Sequence, residues 1–245
     1  MVTDAGLPHI GVESPFLEGL RPIELQTVLS AATRKRYAAN SVITHQGFPA
    51  NHLLMLIKGR ARLFHETSDG KRLPMMWVTP GHLIGSMTLI PRTSTYLVST
   101  EAIRDSLVLC WERNTIRELA YRFPRIFDNC LAIAASYFTW YIDTHVALTC
   151  HTAPERLGLI IRGFSNVIGQ KVDGGVELDI TNEELANAAN ITPFTVSRLL
   201  SQWQRRGLVR KLRGKILVKA PEKLVRLAGE RRAGEAAEKL GKKLA

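Results

Sequence analysis

TNEELANAANITPFTVSRLLSQWQRRGLV, residues 181–209, predicts two short helices joined by a tight turn, and the rest of the chain is organised around them. Thr181 is placed to cap the first helix, because Glu184 follows it at the three-residue spacing of a capping box. Asn190 marks the turn, since asparagine tolerates the left-handed backbone conformation better than most residues. Thr192 then caps a second helix. The stretch therefore predicts a helix-turn-helix.

The second helix has two different faces. A buried stripe is expected from the apolar residues that recur at helical spacing, which are Val196, Leu199, Leu200 and Trp203. Mostly polar residues lie away from the centre of this stripe: Phe194, Thr195, Ser197, Arg198, Ser201, Gln202 and Arg205. One face of this helix is apolar, and the opposite face carries short polar side chains and arginines. Such a helix suits insertion into the major groove of DNA. The alternative is a helical hairpin on the surface of any α-rich protein.

The positive charge of the chain is concentrated after this helix. The 245 residues carry a net charge of +11, and from Arg205 to the C-terminus fourteen Lys and Arg stand against four Asp and Glu. A polyanionic partner such as DNA is the simplest reason for this excess. An acidic membrane surface is the competing partner, but no amphipathic anchor or lipidation motif accompanies the charge. The uncharged run at 130–142 is too short to cross a bilayer.

Other classes of protein lack their signatures in this sequence. Cys110, Cys130 and Cys150 are odd in number and have no CxxC spacing, which argues against a disulfide framework and against zinc or iron–sulfur sites. No secretory leader is recognised, so the expected location is the cytoplasm. No P-loop, GxSxG, HExxH or GxGxxG motif stands in the required context, so we do not expect an enzyme.

The N-terminal half has a different pattern. After a helix expected at 22–32, short β-type runs separated by turn residues fill the segment 35–111, which predicts a sandwich or barrel. Further on, the segment 208–218, with a turn at Arg213-Gly214-Lys215, predicts the wing of a winged helix. The cations of such a wing suit phosphates better than bases.

Several runs within the β segment resemble a cyclic-nucleotide-binding β-roll. They are QGFPA at 46–50, LLMLIKGRARL at 53–63, the Asp69-Gly70 turn and TPGHLIG at 79–85. Together with residues 181–209 they make the chain resemble the CRP/FNR superfamily of bacterial transcription regulators. The fold class implied is α+β, in four parts: a jelly-roll-like sensor β-roll (a double-stranded β-helix) at 17–123, a dimerisation helix at 124–151, a winged helix-turn-helix DNA-binding domain at 152–220 and a basic C-terminal helix or tail at 221–245.

A long helix is predicted between the β-roll and the DNA-binding domain, at about 124–150. Its residues at the alternating three-and-four spacing of a coiled-coil seam are Phe127, Cys130, Ala134, Tyr137, Tyr141, Thr144 and Leu148. Asn114 is expected to cap a short helix before it. The resemblance makes the long helix the dimer helix and one wall of the effector pocket.

The expected effector pocket departs from that of family members that bind cyclic AMP. Those members carry a Gly-Glu pair for the ribose, an Arg-Ser pair for the phosphate and a Thr-Ser pair on the long helix for the base. Here Gly85-Ser86 stands at the first place, Arg92-Thr93 stands for the second, and Tyr141 replaces a small hydroxyl residue at the third. Because a lost charge-assisted hydrogen bond costs about 1.5–3 kcal/mol, ordinary cyclic AMP recognition is not expected.

The cofactors of other family members have little support in this sequence. His82 and His145 are the candidates for haem ligation, as in some gas-sensing members, although a lone histidine more often has a structural role. An iron–sulfur cluster is not expected, because there is no N-terminal cysteine cluster. Cys130 is a candidate for sensing oxidation, but its apolar neighbours favour an inert buried thiol.

The sequence therefore predicts a homodimeric transcription regulator that binds a palindromic double-stranded DNA operator, responds to an unidentified small molecule and contacts RNA polymerase. The residues expected at the DNA are Thr181, Thr192, Phe194, Thr195, Ser197, Arg198, Arg213 and Lys215. Two alternatives stay open. One is a constitutive DNA binder whose β-roll is a ligand-free scaffold, and the other is a cyclic-nucleotide-binding module that acts on a protein partner.

Overall fold

The computed structural model describes residues 12–92, 94–212 and 214–224, without the side chain of Val167. The chain divides into two compact units, with the boundary between Thr139 and Trp140. Two residues of the predicted sites, Thr93 and Arg213, lie outside the described residues, as does the predicted basic tail from 225 onward.

The described residues form six α-helices and twelve strands. The helices are α1 (Pro22–Ser30), α2 (Arg113–Arg122), α3 (Arg125–Cys150), α4 (Ala153–Val167), α5 (Asn182–Ala189) and α6 (Pro193–Arg205). The strands of the first unit are β1 (Thr33–Tyr37), β2 (Val42–Thr44), β3 (His52–Lys58), β4 (Ala61–Glu66), β5 (Arg72–Val78), β6 (Leu83–Ile84), β7 (Ser99–Ala102) and β8 (Ser106–Glu112). The strands of the second unit are β9 (Gln170–Val172), β10 (Gly175–Leu178), β11 (Val209–Leu212) and β12 (Lys215–Val218).

The first unit is built on two antiparallel four-stranded sheets, in the orders β1-β8-β3-β6 and β2-β7-β4-β5. Side chains alternate between the two faces of a strand, and the inward-facing apolar residues of β3, β4, β5, β6 and β8 form one cluster that draws on both sheets. The inner cluster contains Leu54, Leu56, Ala61, Val78, Ile84, Val108 and Cys110. The predicted β-roll is therefore confirmed, and with the helices it gives the predicted α+β class.

A second apolar cluster of the first unit joins the sheet that contains β3 and β8 to the helices. Trp111 at the end of β8 is fully buried in this cluster and packs edge-on against Phe16. Its indole N–H donates to the Val28 carbonyl oxygen at 2.7 Å, so the buried ring leaves no unpaired polar group.

One strand of this unit was not predicted, and one helix cap was predicted wrongly. Strand β1, Thr33–Tyr37, carries no apolar alternation, because it is an edge strand that exposes most of its side chains, and the sequence pattern did not predict it. The N-cap position of helix α2 is Glu112 rather than Asn114, and the Glu112 side chain makes no capping hydrogen bond. The Arg113 N–H donates to the Asn51 carbonyl oxygen at 2.8 Å. The hydrogen bonding between the segments of β3 and β8 therefore continues up to the first residue of α2.

The seam predicted for α3 was wrong in its first half. Cys130 and Tyr137, which belong to that seam, pack into the core of the first unit. The exposed apolar side chains are instead Leu131, which is 73% exposed, and Phe138, which is 65% exposed. A helix that is apolar on two sides is compatible with more than one packing interface. Only the structure shows which side of α3 packs against the β-roll within the protomer.

The second unit contains a winged helix-turn-helix. Its four-stranded sheet has the order β11-β12-β10-β9, and α4, α5 and α6 pack their apolar faces into one core. Thr152 and Glu155 form a capping box at the start of α4. The predicted wing is confirmed as the β11–β12 hairpin, but Lys215 is the first residue of β12 rather than part of the turn.

Candidate nucleic-acid interface and effector site

The turn between α5 and α6 has the geometry that its sequence predicts. The Thr181 N–H donates to Glu184 Oε2 at 2.8 Å, and the Glu184 N–H donates to Thr181 Oγ1 at 3.1 Å, which completes the capping box. Asn190 has a φ of 50°, in the left-handed region. Thr192 caps α6 by accepting a hydrogen bond from the Thr195 N–H at 3.1 Å. Local sequence signals therefore fix where α5 begins, where the chain turns and where α6 begins.

The outer face of α6 is apolar at its first turn and cationic beyond it. Val196, Leu199, Leu200 and Trp203 are buried, as predicted. On the opposite side Phe194 is 78% exposed, and Arg198 and Arg205 are also exposed. From 193 to 220 the sequence contains eight Lys and Arg and no Asp or Glu. Such a face attracts a polyanion and presents a guanidinium that can pair with a guanine edge.

The wing is attached to α6 by a residue that the sequence analysis did not select. The Lys211 ammonium on β11 donates to the Ser197 carbonyl oxygen at 3.1 Å and to Ser201 Oγ at 2.7 Å. The Lys211 N–H also donates to Gln204 Oε1 at 3.0 Å. Lys215, which was predicted to face DNA, instead places its ammonium 2.6 Å from Glu177 Oε1 on β10. No sequence signal identifies either pairing, because both join separate elements.

Arg156 on α4 is a second residue that sequence analysis missed. Its guanidinium donates to the Ala189 carbonyl oxygen at 2.8 Å and to the Asn190 carbonyl oxygen at 3.3 Å, at the turn between α5 and α6. It also donates to the His151 carbonyl oxygen at 2.8 Å, just beyond α3. One side chain thus connects the end of α3 with the turn that precedes α6.

We expect Arg156→Met to lower the free energy of unfolding of the second unit by about 2 kcal/mol or more, because hydrogen bonds to a charged donor contribute about 1.5–3 kcal/mol. Thermal unfolding followed by circular dichroism measures the change. Arg162→Met on the same helix is the control, because the ion pair that Arg162 makes with Glu222, at 3.6 Å, is partly exposed. Such a pair contributes about 0–1 kcal/mol. Equal losses in the two variants would contradict the role of Arg156.

The space beside Gly85 is filled by the protein itself. Gly85 has a φ of 79°, and a Cβ atom built on it would lie 2.7 Å from Cε1 of Tyr96. The Tyr96 hydroxyl donates to the His52 carbonyl oxygen at 2.9 Å, and Thr88 Oγ1 donates to the same oxygen at 2.9 Å. Ser86 begins the short 3-10 helix Ser86–Leu89 directly after this glycine. A phenol ring therefore occupies the surroundings of the first predicted pocket pair.

The loop that carries Arg92 is held by arginines of α2. Arg113 Nη2 donates to the Ile90 carbonyl oxygen at 2.6 Å and to the Arg92 carbonyl oxygen at 3.0 Å. Arg117 Nη1 donates to the Ile90 carbonyl oxygen at 2.6 Å. Arg92 itself is exposed. The loop is thus fixed through its backbone, and the anion-binding role of Arg92 stays a prediction.

The remaining candidates have structural contacts of their own. Tyr141 is half-exposed and its ring stacks on that of His145, with 6.5 Å between centroids. His82 Nδ1 lies 2.9 Å from Thr79 Oγ1 within its turn. Burial raises the pKa of the Cys130 thiol to about 12, so the reactive thiolate is scarce at neutral pH. Across the described ranges, no cluster of three or more His, Cys, Asp or Glu is placed to hold a metal ion.

None of the helices that the structure describes is long and apolar enough to traverse a lipid bilayer. The longest of them, α3, is apolar in its middle but does not meet that requirement.

Comparison with known proteins places both units. Residues 34–122 match the model of the cyclic nucleotide-binding domain, and residues 157–227 match that of the Crp-like helix-turn-helix domain. The cyclic AMP receptor protein of Thermus thermophilus is 26% identical over 215 residues, covering 88% of this chain and 97% of that relative. The transcriptional activator protein FnrL of Cereibacter sphaeroides is 24% identical over 215 residues, covering 84% and 85% of the two chains.

A solved structure supports the fold. FixK2 from Bradyrhizobium japonicum superposes with a TM-score of 0.69 at 22% identity, covering 79% of this chain and 95% of that one. The two domain models match in the order in which the β-roll and the winged helix-turn-helix follow each other in the structure, and together they span more than half of the sequence. The chain belongs to the CRP/FNR superfamily of transcription regulators.

Proposed function

We propose that this regulator is a homodimer that binds a palindromic operator, with α6 of each protomer in the major groove. The observation that carries the proposal is the outer face of α6, where Phe194 and Arg198 are exposed and share one side of the helix. Phenylalanine can contact a thymine methyl group, and arginine can donate two hydrogen bonds to guanine. Thr181, Thr192 and Thr195 lie at helix starts, where hydroxyl and N–H groups meet phosphates.

The dimer is supported by the exposed apolar side of α3. Leu131 and Phe138 are seven residues apart and therefore lie on the same side of the helix, as in one repeat of a coiled coil. Pairing this side with a second copy removes it from water. A two-fold symmetric dimer then matches a palindromic DNA site. We further propose that the regulator works in the cytoplasm, contacts RNA polymerase at its promoters and has no enzymatic activity.

We propose that ordinary cyclic AMP does not control this regulator. Ser86 offers no carboxylate to a ribose, and the Tyr96 ring fills the space beside Gly85. A different small molecule is the expected effector. The second candidate is a constitutive DNA binder with a ligand-free β-roll, and the self-filled surroundings of Gly85 favour it. Haem has weaker support, since the ring of His82 is engaged by Thr79 and that of His145 by Tyr141.

Selection from a random double-stranded DNA library with the purified full chain tests the proposal. We expect a palindromic site with a Kd of about 10⁻⁸–10⁻¹¹ M at physiological salt. Affinity for this site is then measured with and without saturating cyclic AMP, and no change is expected. Failure to enrich any site, together with weak binding that hardly depends on salt, would favour the module that acts on a protein partner. A tenfold or larger gain with cyclic AMP would overturn the effector part alone.

A further inference from the structure

Lys211 lies against the flank of α6 and is held there by three hydrogen bonds. Its ammonium donates to the Ser197 carbonyl oxygen and to Ser201 Oγ, and its backbone N–H donates to Gln204 Oε1. The Ser201 hydroxyl donates in turn to the Ser197 carbonyl oxygen at 2.8 Å. The long, flexible lysine side chain is therefore fixed in position before any ligand arrives, which lowers the entropy cost of using it in binding.

Among the described residues no carboxylate lies within ion-pair distance of the Lys211 ammonium. Lys215, on the neighbouring strand of the same hairpin, differs in this respect, because Glu177 Oε1 is 2.6 Å from its ammonium. A phosphate approaching Lys215 meets a nearby carboxylate as well, whereas a phosphate approaching Lys211 does not.

The hydrogen-bonding capacity of Lys211 is also incomplete. An ammonium group has three N–H donors, and two of them are used by Ser197 and Ser201. Ser201 lies three residues after Arg198 and seven after Phe194, so it borders the exposed face of α6. The recognition helix of a helix-turn-helix lies in the major groove, and the phosphates of the two DNA strands border that groove. One donor of an ammonium at the border of this face is therefore left for a phosphate.

We propose that Lys211 is the wing cation that contacts a DNA phosphate beside α6, and that Lys215 is not. The proposal rests on the proposed function, since it requires α6 to lie in the major groove. Lysine acts on a phosphate as a point charge, so the contact strengthens binding to every DNA sequence about equally. It replaces the contact that the sequence alone assigned to Lys215.

The test compares Lys211→Met with Lys215→Met in the full chain. Affinity for the selected operator is measured at several salt concentrations, and log Kobs is plotted against log salt. For Lys211→Met we expect the slope to lose about 0.9 per half-site, or about 1.8 per dimer, with an unchanged preferred sequence. For Lys215→Met we expect the wild-type slope, because its ammonium is already paired with Glu177.

Two further variants separate charge from positioning. Lys211→Arg keeps the charge and is expected to retain the wild-type slope. Ser201→Ala removes one acceptor of the ammonium but no charge, and it too should retain the slope. If Lys211→Met lowers the melting temperature, Lys211→Gln, which keeps a donor for the Ser197 carbonyl, is measured in its place and should show the same loss.

Three outcomes overturn the inference: an unchanged slope for the neutral Lys211 variants, an equal or larger loss for Lys215→Met, or a changed base preference without a change in slope. In each of these cases the wild-type chain still binds its operator. Absence of operator binding by the wild-type chain would instead contradict the proposed function.

Discussion

Arg198→Ala is expected to weaken operator binding by about 1–3 kcal/mol per half-site and to relax the base preference at one position of each half-site. Arg198 is exposed on the outer face of α6, and no carboxylate among the described residues is within ion-pair distance of it. Pro193 and Phe194, which precede it, have no side-chain donor. Arg198 is therefore the first side chain on this face that can make a bidentate contact with guanine.

The control for Arg198→Ala is Arg206→Ala. Arg206 is the C-cap of α6 and is exposed, so the substitution removes the same charge without touching the first turns of the helix. We expect it to weaken binding to specific and non-specific DNA alike and to leave the selected site unchanged. Selection from a random DNA library measures both variants. The assignment of Arg198 to a base is wrong if its alanine variant selects the wild-type site with undiminished preference at every position.

Phe138→Glu is expected to convert the proposed dimer into monomers and to reduce operator affinity by about 10²–10⁴, because the second half-site is no longer bound by a linked partner. Phe138 is 65% exposed on α3 and shares its side of the helix with Leu131. A carboxylate at this position faces its own copy across a two-fold axis, so charge repulsion and desolvation both oppose pairing. Sedimentation velocity measures the oligomeric state directly.

Phe48→Glu is the matched control for the dimer experiment. Phe48 is 63% exposed, close to the value for Phe138, but it lies in the turn that precedes β3. We expect this variant to remain dimeric and to bind the operator normally. A dimeric Phe138→Glu variant would place the subunit interface elsewhere, and the exposed side of α3 would then need another partner.

The helix-turn-helix was predictable because its signals are local. The capping box of Thr181 and Glu184, the left-handed Asn190 and the cap at Thr192 each involve residues no more than three positions apart. The buried stripe of α6 repeats with the helical period, so it too can be counted along the sequence. The same is true of the glycine-punctuated strands of the β-roll, whose inner residues are apolar.

Predictions that required knowledge of neighbouring elements were less successful. The polar strand β1 is recognised only through its pairing with β8. Asn114 has the chemistry of a cap, but the strand before α2 places the helix start at Arg113. Cys130 and Tyr137 satisfy coiled-coil spacing, yet the β-roll covers their side of α3. In each of these cases a residue distant in sequence decides between patterns that are locally equivalent.

The sequence by itself determined the order of β-roll, long helix and winged helix-turn-helix. It also determined the two faces of α6 and the concentration of cations in the segment that follows α6. These features depend on backbone preferences, periodicity and composition, which need no distant partner. Only the tertiary structure decided that Tyr96, whose hydroxyl reaches a carbonyl 44 residues away, fills the space beside Gly85. It likewise decided that Lys215 is paired with Glu177, 38 residues away, while no carboxylate of the described residues lies within ion-pair distance of the Lys211 ammonium. Contacts of this kind arise when the packing of whole elements brings two side chains together, and no local pattern encodes them.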